Sequence, residues 1–599
     1  MKSRFSFVTT VLVTLALVGT TCSSSGAADW KPAAGPLMTQ WAKDVSPEKA
    51  LPEYPRPQMV RTDWQNLNGL WDYSITGKAQ AAPAEYQGKI LVPFPVESAL
   101  SGVMKPVKPD NRLWYHRTFE VPKTWAGKRV LIHFGAVDYE ATVLVNGKEL
   151  GTHKGGYDAF SFDITDALKN RGPQELVVSV LDPTDGANPH GKQTLNRSTW
   201  SYTPTTGIWQ TPWLEPVPRG YVKVLRIVPD LDKGAVRLTV ETAGASEGLE
   251  VRATMTSVSR GDELPKFRPI SAKGRPGQEI LIDIDQKYLW SPEEPWLYNL
   301  CVELRRNRKT ADSVKSYFGL RKISLGKDDK NITRLMFNNK FVMQVGTLDQ
   351  GFWPDGIYTA PTDEALRYDI EMLKKMGFNM TRKHVKIEPD RWYYWADKLG
   401  LLVWQDMPST GGASKDQEKQ QFETELRRMI EDRGTHPCIV MWVLFNEGWG
   451  QYDIARLTEW VKMLDPSRLV NTDSGWTDFK VGDVVDVHCY PGPNSPVPEE
   501  KRAAVLGEFG GLGFGVKGHT WGSTTWGYEQ FPDLDALTKR YVDLLRGVWR
   551  FKASPGLSAA VYTQTTDCET ECNGVMTYDR VPKMDLKQVA PANRGEFSP

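Results

Sequence analysis

From about Leu51 to Pro218 the apolar residues come in short alternating runs cut by Gly, Pro and Asn. Strict alternation over four to eight residues is the signature of a half-buried strand. In RVLIHFGAVDYEATVLVNGKELGTHKGGYDAFSFDIT the runs Val130–Phe134 and Ala141–Val145 lead into Asn146-Gly147, a two-residue hairpin signal. The pattern predicts an all-β sandwich. A second β pattern follows from about Tyr221 to Lys322, with VRLTVETAG, LEVRATMTSV, QEILIDID and YNLCVELRR at spacings that suit a smaller sandwich. After Leu325 the period changes. ALRYDIEMLKKMGFNMTRK has helix-spaced apolar residues through Met376, then Gly377 as a stop and a short strand around Phe378–Thr381. Helix then strand recurs in DRWYYWADKLGLLVWQDMP, QFETELRRMIEDRGTHPCIVMWVLFNE and IARLTEWVKMLDPSRLVNTDSGW, with further strands at FVMQVGTLD, VVDVHCY, RAAVLGEF and GLSAAVYTQTT. Eight strand candidates in about 250 residues, several separated by helices, predict a (β/α)8 barrel. A doubly wound sheet would need a glycine fingerprint after its first strand, and none stands there.

The chain's ends and its charge narrow the setting. MKSRFSFVTTVLVTLALVGTTCSSSGAA has a basic start, an apolar stretch from Phe5 to Val18 and small residues at Gly26–Ala28, the layout of an export signal over residues 1–28. The mature chain is therefore expected outside the cytoplasm, periplasmic or secreted, with no membrane span. Lys plus Arg is 74 against 73 for Asp plus Glu in 599 residues, so no global field recruits nucleic acid or an anionic surface. Of six cysteines, five follow the signal segment without metal-type spacing. Cys438 and Cys489 read as core thiols; Cys568 and Cys572 in TTDCETECNG are left open as a small disulfide loop.

The chemistry lies at the strand ends. VMWVLFNEGWGQ finishes an apolar strand with Asn446-Glu447, and Glu508 follows the run Ala503–Gly507 at the end of the seventh strand. Side chains at C-terminal strand ends converge on the active site of such a barrel. Two carboxylates there, with no metal-ligand cluster legible at the rim, are the equipment of retaining glycoside hydrolysis: one protonates the leaving oxygen, the other attacks the anomeric carbon, about 5–5.5 Å away. Trp442 and Trp449 are expected as apolar walls for the acid.

Over the whole mature chain the sequence resembles glycoside hydrolase family 2, the β-galactosidase and β-glucuronidase family. YPRPQMVRTDWQNLNGLWDY, ILVPFPVESALSG and TTGIWQTPWLEPV are similar to its sugar-binding jelly roll, YLWSPEEPWLYNL and YFGLRKISL to the end of its immunoglobulin-like domain, THPCIVMWVLFNEGW to its acid/base signature and VLGEFGG to its nucleophile strand. The resemblance implies a jelly roll over residues 29–219, an immunoglobulin-like sandwich over 220–324 and a catalytic barrel over 325–599. It implies Glu447 as acid/base and Glu508 as nucleophile, with Asn446 on the sugar's 2-hydroxyl, Tyr490 on the nucleophile and Arg382 behind it. It also brings Asp349, Asp406, His384, His488, Trp476 and Tyr562 near the rim as substrate-binding residues. Three departures matter. The third strand ends WQDMPSTGG where large β-galactosidases carry a Glu-x-His metal segment, so neither cofactor nor metal is expected. The glucuronidase Asn-x-Lys element has only Asn338-Asn339-Lys340 as a match, which precedes the first strand and reads as a turn. Lys383-His384 replaces a longer galactosidase pattern. The expectation is an exported retaining exo-β-glycosidase acting on terminal neutral sugars of oligo- or polysaccharides, β-galactosidase-type first. β-Galactofuranosidase, β-mannosidase, arabinosidase and β-glucuronidase remain alternatives, as does a catalytically silent carbohydrate-binding protein. Phe352, Trp353, Tyr358, Trp521, Trp526 and Tyr528 are expected to stack on the sugar, and a homo-oligomer is left open.

Overall fold

The computed structural model describes residues 30–597; the segment expected to direct export, with Cys22, lies outside the described residues. Among these no helix is long and apolar enough to cross a membrane. The N-terminal sandwich packs a six-stranded antiparallel sheet on a four-stranded one. Its core includes Trp71, Tyr115, Ile132 and Val178, all fully buried. The Glu140–Val145 and Lys148–Lys154 strands pair antiparallel through Asn146 (φ 51°) and Gly147 (φ 77°), the left-handed pair that a two-residue hairpin needs. The second sandwich has sheets of three and four strands around Val236, Val251 and Val302. A short three-stranded sheet then leads into the barrel, and Asn338-Asn339 forms its final turn with φ 49° and 63°.

The barrel strands are β1 Gln344–Asp349, β2 Met380–Lys383, β3 Leu402–Asp406, β4 Ile439–Asn446, β5 Leu469–Ser474, β6 Val484–Cys489, β7 Ala503–Gly510 and β8 Leu557–Thr563. All pair parallel in the order β5-β4-β3-β2-β1-β8-β7-β6, with no ladder between β5 and β6. Their side chains are buried almost throughout β1 to β5, β7 and β8, because helices cover the outer face. Helices α1 Asp363–Lys375, α2 Asp390–Leu399, α3 Asp416–Arg433, α4 Ile454–Leu464, α5 Leu534–Ala553 and α6 Leu586–Arg594 supply that cover. α1 starts on the Thr362 side chain, which accepts the Ala365 amide, and α2 ends on Gly400 in the left-handed region at φ 75°. All eight expected strands are present.

Candidate active site

β4 stops at Asn446, and Glu447 turns off at φ 52° with its amide donating to the Ser474 carbonyl at 2.9 Å. Consecutive strand residues face opposite ways, so without this turn Asn446 and Glu447 would not share a face. The left-handed step costs about 1 kcal/mol and lets both reach the mouth. Gly475, at φ 125°, leaves the room: a β-carbon there would lie 3.0 Å from Glu447 Cγ and 3.1 Å from His488 Nδ1.

A bulge at Val487/His488 in the β6–β7 ladder sets His488 opposite Glu508. One carboxylate oxygen each of Glu447 and Glu508, and one His488 nitrogen, all lie within 4.8 Å of one another. That spacing fits the nucleophile and acid/base pair of a retaining glycosidase rather than the wider inverting pair. His488 Nδ1 is 2.8 Å from Glu447 Oε1, and its Nε2 is 2.9 Å from Ser474 Oγ. Ser474 in turn donates to Asp486 at 2.6 Å, and Asp486 also accepts from Asn471 (2.7 Å) and the Gly507 amide (2.6 Å).

Arg382, fully buried, joins the parts. Its Nη1 donates to Glu508 Oε1 at 3.1 Å, its Nη2 to Asn446 Oδ1 at 2.8 Å, and its Nε and Nη2 to Asp406 at 3.1 and 2.9 Å. With Oδ1 so engaged, the Asn446 amide NH2 is left for substrate. Tyr490 donates its hydroxyl to Glu508 Oε2 and lies 2.7 Å from Thr563 Oγ1, while its ring stacks on Tyr528 at 3.9 Å. Burial alone would raise the Glu508 carboxyl, but the positive charges of His488 and Arg382 outweigh it and hold Glu508 below the usual carboxylate range. For His488 burial works downward, and the Glu508 charge and the Glu447 hydrogen bond outweigh it, so the imidazole sits above its usual value. His384, beside Asp406 at 3.2 Å, is pushed well below the histidine range by burial and the nearby cations, and is neutral.

Six of the expected residues therefore meet around one point: Glu447, Glu508, Asn446, Arg382, His488 and Tyr490. His384 and Asp406 stand behind Arg382. Trp476 lies just past β5, 70% exposed. Others sit elsewhere. Asp349 faces away into a buried ion cluster, 2.5 Å from Lys383 Nζ, which also pairs with Glu388 at 2.9 Å. Tyr562 packs on Tyr541 of α5, outside the barrel wall, with its hydroxyl accepting the Leu512 amide. Trp442 points to Asp465, in the α4–β5 connection at the opposite end of the barrel, and Trp449 is half-buried in the turn after Glu447. Phe352, Trp353 and Tyr358 are at most 2% exposed and pack in the core; Tyr358 meets Tyr157 of the jelly roll, hydroxyl to hydroxyl at 3.2 Å. Tyr528 alone of the expected stackers is strongly exposed, at 51%. All five described cysteines are free thiols, Cys568 and Cys572 included. Residues that sequence reasoning missed are Ser474, Gly475, Asp486 and Thr563; the SerGly that closes β5 is their one visible signal.

The site also corrects the expectation that no His/Glu cluster exists at the rim, since Glu447, His488 and Glu508 form one. A metal fits it poorly. Arg382 already pairs with Glu508 and His488 holds a proton more tightly than usual, so two positive charges oppose a third. The family's metal segment is replaced by Asp406, which Arg382 and His384 occupy.

A parallel eight-stranded barrel whose β4 and β7 ends bring two carboxylates within 4.8 Å, one charge-compensated by a buried arginine, defines a glycoside hydrolase site. The chain matches three models of a single family: the glycosyl hydrolases family 2 sugar binding domain over residues 64–202, the glycosyl hydrolases family 2 domain over 220–321 and the family's TIM barrel domain over 358–504. It belongs to glycoside hydrolase family 2. It is 27% identical over 363 residues to a β-galactosidase of Thermoanaerobacter pseudethanolicus, covering 59% of this chain and 47% of that protein. It is 26% identical over 374 residues to a putative β-glucuronidase of Formosa agariphila, covering 59% and 44%. The chain thus spans about half the length of these curated relatives. The fold matches that of Lactobacillus rhamnosus β-glucuronidase with a TM-score of 0.72 at 20% identity, over 91% of this chain and 98% of that one.

Proposed function

We propose that the protein is a retaining exo-β-glycosidase in which Glu508 is the nucleophile and Glu447 the acid/base. The observation that carries this is the close approach of the two carboxylates with unlike partners: Glu508 against Arg382 and Tyr490, Glu447 with one oxygen on His488 and the other without a protein partner among the described residues. Glu508, kept ionised, attacks the anomeric carbon as the glycosidic C–O bond breaks, and protonated Glu447 gives its proton to the leaving oxygen. The product is a glycosyl ester on Glu508. Glu447, now a carboxylate, takes a proton from water, whose oxygen attacks the same carbon and frees Glu508. Asn446 holds the 2-hydroxyl through both steps. Export through residues 1–28 belongs to this reading.

Azide tests the assignment. With Glu508→Gly, azide enters the vacated space and yields an inverted α-glycosyl azide; with Glu447→Ala and a dinitrophenyl glycoside, azide intercepts the ester and yields the β-glycosyl azide. Opposite stereochemistries would reverse the roles, and wild-type rates in either variant would remove that residue from the mechanism.

For the sugar, β-galactosidase-type hydrolysis of a neutral residue is supported by the absence of an Asn-x-Lys element from the first barrel strand onward and by the name of one relative. A second reading, an acidic terminal sugar, is favoured by one side chain that the barrel does not contain.

A further inference from the structure

A loop of the jelly roll lies across the barrel mouth. The His190 and Gly191 amides both donate to the Ser409 carbonyl beyond β3, at 2.9 and 3.0 Å, and Gly191 is so close to Val385 beyond β2 that a β-carbon would stand 2.3 Å from its carbonyl oxygen. Further along the same loop, Tyr202 donates its hydroxyl to Glu571 at 2.5 Å and the Thr203 amide donates to Glu569 at 2.8 Å, both on the segment after β8. Between these anchors stands Lys192. It is half-buried, its carbonyl accepts the Tyr202 amide at 2.8 Å, its Nζ lies 6.0 Å from the Tyr202 ring centroid, and among the described residues that Nζ has no hydrogen bond and no carboxylate within 4.0 Å. Arg382, Lys383 and Lys386 are each paired, by contrast. The Lys192 charge is felt at Glu508, His384 and Glu571, which, with the loop anchored on Ser409 and Glu571, places the ammonium near the nucleophile. Glu571 does not neutralise it directly: its two oxygens are held by Tyr202 and Asn573 (3.1 Å), and burial raises its carboxyl so that it keeps its proton more readily.

An ammonium held half out of water without a counter-ion is poorly compensated, and a hydroxyl repays that loss less well than a carboxylate does. Resting on the glycosidase reading above, we propose that the terminal sugar is a uronic acid whose carboxylate pairs with Lys192, so that the jelly roll, and not the barrel, supplies the cation that selects a β-uronide.

Two measurements test it. Steady-state kinetics with 4-nitrophenyl β-glucuronide and β-galacturonide against the matching β-glucoside and β-galactoside should give a kcat/KM at least tenfold higher for one uronide than for its neutral counterpart. Lys192→Ala should cut that ratio about 10- to 100-fold, the worth of one charge-assisted hydrogen bond, and Lys192→Arg should retain more of it. A neutral sugar preferred by the wild type, or an equal loss on both substrates in Lys192→Ala, would overturn the proposal. Calorimetric binding of free glucuronate, galacturonate, glucose and galactose to Glu508→Gln separates this from failure of the glycosidase reading. Uronate binding that Lys192→Ala abolishes supports the cation whatever the turnover, and neutral sugars binding as tightly as uronates refute it. Absence of any turnover alone would count only against the catalytic reading.

Discussion

Arg382 offers the sharpest test of the site, because it is fully buried and its partners are two carboxylates and an amide. Consider Arg382→Met, which keeps much of the stem's volume and removes only the charge and its donors. Asp406 and Glu508 then remain in a dry place without their cation. Breaking a buried pair by deleting one partner costs about 3–5 kcal/mol. The loss has a ceiling, since a stranded carboxylate can take up a proton instead. For a group that ionises near 4 in the unfolded chain, that uptake costs about 4 kcal/mol at pH 7 and about 1.4 kcal/mol at pH 5, at 1.36 kcal/mol per pH unit. The sign follows from Glu508 itself. Its folded value is depressed, so the wild type draws stability from it above the unfolded value and loses that stability as pH falls through the folded one. The variant has no such stability to lose, and its deficit relative to wild type should shrink by about 2–3 kcal/mol on account of Glu508 between pH 7 and pH 5; Asp406, which burial already raises in the wild type, adds less.

The assay is thermal unfolding of both proteins at the two pH values, together with the pH profile of kcat/KM, whose acid limb reports the free nucleophile. Without Arg382 that limb should move to higher pH and kcat/KM at neutral pH should fall by at least a hundredfold. An equal deficit at both pH values would show that Arg382 acts by packing and not by charge. An unmoved acid limb would show that it does not keep Glu508 ionised.

Further outcomes follow from single contacts. Tyr490→Phe removes the hydroxyl between Glu508 and Thr563 and should lower kcat about 10- to 100-fold; a change within twofold would leave the tyrosine a packing residue. Gly475→Ala puts a β-carbon 3.0 Å from Glu447 Cγ and should cost more than tenfold in kcat/KM, whereas Gly518→Ala, also at positive φ but in open space, should cost stability and no activity. Equal activity losses in the two would assign the effect to backbone strain alone. Exhaustive chelation should leave activity intact, because Arg382 already pairs with Glu508 and His488, which holds its proton more tightly than usual, lies between the two carboxylates; loss restored by magnesium would refute this.

The catalytic pair was legible because chemistry at a strand end interrupts a hydrophobic pattern: Glu447 and Glu508 each follow a run that nothing but burial explains. The strands themselves were legible for the same reason. Facing was harder to read. Tyr562 and Thr563 are neighbours at the end of β8, yet Thr563 reaches Tyr490 while Tyr562 packs on α5, and a one-residue error of phase exchanges them. Alternation predicts facing only where the phase is known, and here it is reset by the bulge before His488, by the shifted β7–β8 register between Leu506 and Phe509, and by the left-handed turn at Glu447. Asp349 was misplaced likewise: it shares the outward side with Lys383, while Arg382, one residue earlier, points in.

Lys192 escapes such reasoning altogether. No local pattern marks it, because its position depends on two anchors, one on Ser409 and one on Glu571, which lie 217 and 379 residues further along the chain. The Lys192 ammonium is brought to the barrel by a loop that leaves the jelly roll after Leu181 and whose Tyr202 packs in the barrel's own hydrophobic cluster. The pocket is therefore a property of two domains in contact. Substrate charge judged from barrel residues alone omits the Lys192 ammonium, which has no carboxylate within 4.0 Å among the described residues, and so weighs the absence of Asn-x-Lys more heavily than the assembled mouth allows.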